Sequence, residues 1–84
     1  MKEEAALINN HLRATIYSYR KASGLSQESM ASILHVSPRS YCEQERGKYG
    51  FSILSLIYFM AATMSERTTI LFLKELYAFL KGSK

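Results

Sequence analysis

The stretch GLSQESMASILHVSPRSYCEQERG, residues 24–47, decides the reading of this 84-residue chain. Gly24 tolerates the left-handed backbone that ends many helices, so it closes the segment before it. Ser26 is an N-cap for a short helix over Gln27–Leu34, its hydroxyl taking an orphan backbone N–H near Ser29. Met30, Ile33 and Leu34 face inward along that helix, and Ala31 is small enough to let another helix approach. His35-Val36 makes a turn. Ser37 caps the next helix, with Pro38 at its first position, where a missing N–H costs nothing, and this helix runs to about Glu45. Two short helices joined by a tight turn, the second polar and carrying arginines, form the arrangement that holds one helix in the DNA major groove.

Working outward, residues from about Glu3 to Ala22 read as a first helix. Glu3 and Glu4 suit the positive end of its dipole, and Arg20 and Lys21 the negative end. Ala5, Ile8, Leu12, Ile16 and Tyr19 recur at steps of three and four, the spacing of a core-facing stripe. Gly47 and Gly50 mark a loop. A fourth helix from about Ser52 to Ala62 is apolar nearly all round (Leu56, Ile57, Phe59, Met60) and is expected at the centre of the fold. Ser65 caps a fifth helix, about 66–81, ending before Gly82. Its apolar residues do not fit one stripe. Ile70, Leu73, Leu76, Tyr77 and Leu80 make one face, while Leu71, Phe72 and Phe79 spread onto a second. A small domain covers one of these, which leaves Leu71, Phe72 and Phe79 as the expected dimer or partner interface. The expectation is an all-α, compact five-helix single domain over residues 1–84.

Nearly half the residues are hydrophobic, enough for one core and an interface besides. The formal net charge of +4 favours a polyanionic partner, as a weak prior. One cysteine, Cys42, permits no internal disulfide, and the N-terminal MKEEAALINN carries no secretory pattern; both fit a cytoplasmic protein. The longest apolar run, Leu56 to Ala62, is far short of the roughly 20 residues that span a bilayer. His11 and His35 have no cysteine or carboxylate partners at ligand spacing, so neither a metal nor another cofactor is expected. A glycine-rich phosphate loop, a nucleophile motif and a convincing acid–base pair are all missing, so no residue set supports an enzyme. Met30, Met60 and Met64 read as core filler, and Lys21, Lys74, Lys81 and Lys84 as solubilising.

The segment from about Ile16 to Met64 resembles the Cro/repressor-type helix-turn-helix family, the lambda-repressor-like domain. The resemblance rests on Arg20, Gly24-Leu25-Ser26-Gln27-Glu28, Ala31, Val36-Ser37 and Glu45-Arg46-Gly47-Lys48, in the family's order and spacing. It implies that Gln27 contacts a phosphate and braces a base-reading side chain. Pro38, Arg39 and Glu43 match positions that face base edges, with Cys42 between them. Lys48 and the loop around Arg46 match backbone-contacting positions. Arg20 and Glu45 match a partly buried ion pair tying the first helix to the end of the third. The chain also departs from the family pattern. His35 stands where glycine is usual, Tyr41 and Gln44 replace the usual core residues of the recognition helix, and Gly50-Phe51 replaces the common pair before the fourth helix.

The chemistry of duplex recognition gives these residues their expected roles. Cations and N–H donors fix the protein on phosphates, and a few side chains reach base edges. Arg39, Cys42, Glu43 and Arg46 share one face at i, i+3, i+4, i+7, with Tyr41 and Gln44 turned towards the body. Arg39 suits a guanine O6 and N7, for about 1–3 kcal/mol of discrimination. The plainer alternative is an Arg39–Glu43 pair on a solvated face, for about 0.3–0.5 kcal/mol. Glu43 accepts from a cytosine amine, orients Arg39, or excludes some bases by repulsion. Gln27, Ser37, Arg46, Lys48 and Tyr49 are the backbone candidates, Tyr49 equally an exposed loop tyrosine. Cys42 is a small contact residue or, with no second cysteine to resolve it, a redox switch. The leading expectation is a sequence-specific, double-stranded DNA-binding transcriptional regulator, a repressor acting as a homodimer. The alternative is a protein-interaction module, antitoxin-like, holding a protein partner.

Overall fold

The computed structural model describes residues 2–81, with Lys2 in its backbone only; Gly82 and Lys84, which figure in the sequence reading, lie outside them. Five helices follow one another: α1 Lys2–Ala22, α2 Gln27–Leu34, α3 Pro38–Glu45, α4 Ile53–Thr63 and α5 Glu66–Lys81. No strand occurs among the described residues. Serine chemistry sets the start of four of them. Ser26, Ser37, Ser52 and Ser65 each accept the backbone N–H three residues on, at 3.0–3.1 Å. Each bond satisfies one of the donors a helix N-terminus leaves open, which is why single-residue accuracy at these ends is available from sequence.

The core draws on every helix: Leu12 and Ile16 from α1, Met30, Ala31 and Leu34 from α2, Tyr41 from α3, Leu56 and Phe59 from α4, and Phe72 from α5. α2 packs on α3 and α4, and α1 on α3 and α5. The inward stripe of α1 begins at Ile8, because Ala5 is exposed in the first turns. α1 also lies close over the segment after α3. A Cβ on Gly50 would stand 2.9 Å from Asn9 Oδ1, and one on Gly47 3.3 Å from Arg13 Cζ, both ends of side chains that can shift; it is the φ of 87° that favours glycine at Gly47.

Two further expectations need correction. α4 is not the centre of the fold. It buries only Ser55, Leu56 and Phe59, and leaves Ile53, Leu54 and Ile57 half or more exposed. Its inward face rests on α2, where Ser55 Oγ donates to Leu34 O at 3.0 Å. The second correction concerns α5. Phe72 is buried and Phe79 half-buried, so they are not free interface residues. Both rings pack on His11 of α1, at centroid distances of 6.0 and 5.1 Å, and His11 Nε2 lies 3.0 Å from Glu75 Oε1. Leu71 stays exposed, together with Ile70, Leu73, Tyr77 and Leu80. The physical reason is that α5 carries two seams of the same spacing, 69/72/76/79 and 70/73/77/80. They stand about 100° apart on the helix. α1 takes the seam that offers two aromatic rings to His11.

Candidate nucleic-acid interface

The turn between α2 and α3 is made by His35, which holds φ 61° and ψ 42°. A side chain with a Cβ is uncommon there, histidine less so than most. Two contacts hold the conformation. His35 Nδ1 lies 3.1 Å from Ile33 O, and the imidazole stacks on Tyr58 of α4 at 3.7 Å between centroids and 17° between planes. The glycine that the family resemblance leads one to expect is thus replaced by a strained residue with a ring contact in compensation.

α3 is fixed from its C-terminal end. Glu45 is the hub, its side chain 10% exposed. Arg20 grips it with both arms of its guanidinium, Nε to Oε2 at 2.7 Å and Nη2 to Oε1 at 3.2 Å, and Nη1 also donates to Leu25 O at 3.0 Å. Gln27 Nε2 donates to Oε1 and the Tyr41 hydroxyl to Oε2, each at 2.6 Å. One carboxylate therefore joins α1, the first residue of α2 and the middle of α3. Burial works to raise the Glu45 carboxyl, but the bonds from Arg20, Tyr41 and Gln27 and the Arg20 charge outweigh it and hold it below the usual carboxylate range. The hydrogen bond to Glu45 raises Arg20 above its ordinary value. Burial, reinforced by the bond to Glu45, keeps the Tyr41 hydroxyl protonated well above the usual phenol range.

The Arg20–Glu45 pair therefore stands as expected, and Tyr41 and Gln44 do turn inward. Tyr41 replaces an apolar core residue by giving its ring to the core and its hydroxyl to Glu45. Gln44 Nε2 donates to Gly50 O at 3.2 Å, while Gln44 Oε1 is a buried acceptor without a partner.

The opposite face of α3 is open. Pro38, Arg39 and Arg46 are exposed, and Cys42 and Glu43 half-buried. Arg39 extends outward with its side chain 88% exposed, yet Nε stays 3.8 Å from Glu43 Oε2. Lys48 Nζ reaches the same oxygen at 3.8 Å. Glu43 thus sits between two cations, and both of its ion pairs are long and weak. Ser37, Lys48 and Tyr49 are exposed at the two ends of this face, with Lys48 Nζ 5.5 Å from the Tyr49 ring centroid. Gln27 is half-buried and its amide N–H is engaged by Glu45, leaving its carbonyl oxygen and position at the α2 N-terminus for any other contact.

Arg13 was not among the residues singled out from sequence. It lies beside the loop after α3, with Nη2 donating to Asn10 Oδ1 at 2.6 Å. Its only sequence signal was a place seven residues before Arg20, on the same side of α1. Among the described residues, no three His, Cys, Asp or Glu side chains gather as a metal would require. No helix of the described chain is long and apolar enough to cross a membrane. No family model, curated protein or solved structure matches the chain.

Proposed function

We propose that this chain is a sequence-specific double-stranded DNA-binding regulator of the Cro/repressor type, laying α3 in the major groove. The observation that carries the reading is the division of α3 into two faces. One is locked to the body through Glu45 and Tyr41, and the other offers Arg39, Cys42, Glu43 and Arg46 to a partner. A rigid helix with an extended, weakly paired arginine suits base reading, since the side chain loses little on leaving Glu43 for a guanine edge. Glu43, between Arg39 and Lys48, suits a base edge with a donor such as the cytosine amine. Exposed Ser37, Arg46, Lys48 and Tyr49 fit phosphates on either side.

One such helix covers few base pairs, so the reading includes a homodimer over half-sites about 34 Å apart. The outward seam of α5, Ile70, Leu73, Tyr77 and Leu80, together with Leu71, is the surface assigned to it. Repression by occupying a promoter, in a cytoplasmic setting, completes the proposal. The test is selection from a random duplex library with Arg39→Ala in parallel. A palindrome with half-sites about ten base pairs apart, blurred at one position per half-site by the substitution, is the expected result. No enrichment at low salt overturns it.

A second reading has its own support. Exposed Ile57 on α4 and Ile70 on α5 line a mainly apolar groove of 440 Å³ together with Met60, Ala61 and Met64, with Glu66 and Thr69 as its polar members. A surface of this kind fits a protein-interaction module, antitoxin-like in its use of a folded partner. A stable complex with a second protein and no duplex binding would favour it.

A further inference from the structure

We infer that α1 carries a backbone-phosphate seat of its own, built around Arg13 with Asn10 and Tyr17, beside the loop that follows α3. It rests on the DNA-binding reading and extends it to a helix outside the helix-turn-helix pair.

Arg13 is half-buried, and among the described residues it has no carboxylate partner. It donates to the neutral Asn10 amide oxygen, through Nη2 at 2.6 Å. A guanidinium that gives up part of its hydration without an anion is an unfinished arrangement, since arginine in such places is ordinarily matched by a carboxylate or a phosphate. The side chain borders an open cleft of 280 Å³ lined by Asn10, Arg13, Ala14, Tyr17 and Glu45. Glu45 does not make this cleft hostile to an anion, because its two oxygens already accept four bonds from Arg20, Gln27 and Tyr41. Arg20 matches the Glu45 charge, and Lys21 Nζ adds a positive charge 5.9 Å from the Tyr17 ring centroid.

The location connects the cleft to the DNA face. Gly47, at φ 87°, has no side chain, and the Arg13 guanidinium lies close to it, with Cζ and Nη1 both 3.3 Å from where a Cβ would be. Arg13 is therefore held in contact with the loop whose other members, Arg46 and Lys48, are assigned to phosphates. A phosphate at the cleft mouth would meet a planar two-armed donor, the Asn10 amide and the Tyr17 hydroxyl. That combination favours a phosphate diester over a compact halide, because two parallel N–H donors match two phosphate oxygens.

The experiment measures binding of a random-sequence duplex of about 20 base pairs across 50–200 mM salt for wild type, Arg13→Gln and Arg13→Lys, with thermal melting of each. Loss of one phosphate contact lowers the log–log salt slope by about 0.9. Wild type should then lose about 3.5-fold more affinity than Arg13→Gln over that range. Arg13→Lys should keep the wild-type slope, since it keeps the charge, and all three should melt at similar temperatures. An unchanged slope in Arg13→Gln overturns the seat while leaving the DNA-binding reading intact. So does a loss of affinity that follows a lower Tm, because that marks a packing role over Gly47. A wild type that binds no duplex at any salt removes both.

Discussion

Replacing Tyr41 with phenylalanine deletes one oxygen from the core and leaves the ring in place. The Tyr41 side chain is fully buried, so no water can stand in for the hydroxyl. That hydroxyl donates to the Glu45 carboxylate at 2.6 Å. A hydrogen bond to a charged acceptor contributes about 1.5–3 kcal/mol. Arg20 and Gln27 still satisfy Glu45, so a value near 2 kcal/mol is expected, or about 8–16 °C in Tm for a domain of this size. The pH dependence is the sharper readout. Glu45 is held below its ordinary value, so the stability it contributes is present above the unfolded-state value of about 4.3 and lost as pH falls through the folded one. Tyr41 is raised, so its contribution is present below about 10 and lost as pH rises towards the folded value. The gap between wild type and Tyr41→Phe should therefore be widest from about pH 5 to 9 and narrow on both sides. Calorimetric or circular-dichroism melts across pH measure it. A gap below about 0.5 kcal/mol, or one that does not vary with pH, would refute the hub geometry. Duplex binding well below both melting temperatures should be unchanged, because Tyr41 faces away from the open side of α3.

Glu45→Ala removes the acceptor of Arg20, Gln27 and Tyr41 at once and should cost about 3–5 kcal/mol in chemical denaturation; native stability with lost DNA binding would instead make Glu45 a direct contact. At the turn, His35→Ala keeps the left-handed strain and loses the Tyr58 stack, whereas His35→Gly loses the stack and the strain together. The glycine variant should be the more stable of the two by about 1 kcal/mol, and equal stabilities would contradict the strain argument. Leu73→Glu places a charge on the outward seam of α5 and should halve the sedimentation mass of a dimer while leaving the helical signal intact. A dimer that persists would move the interface elsewhere.

The sequence by itself determined the helix boundaries, because they depend on local chemistry. Each serine cap acts within three residues, Pro38 is tolerated at the first turn of α3, and Gly24 and His35 mark the left-handed stops. The Arg20–Glu45 pair was also legible, but only through a family pattern, since the two residues are far apart in the chain. Tertiary structure decided which surfaces remain open. α5 carries two largely apolar seams one residue out of step, so periodicity alone could not choose the side that α1 covers. The His11 ring and Glu75 made that choice and turned Phe72 and Phe79 inward. α4 is apolar on most sides, and its composition could not reveal that only the face on α2 would be buried. Gln27 reaches Glu45, and Arg13 reaches Gly47, only once the helices have packed, whereas the Tyr41–Glu45 bond is an i, i+4 contact within α3. Caps and turns depend on neighbours in the chain. The choice among equivalent apolar faces depends on what else arrives there, and a one-dimensional pattern does not contain that information.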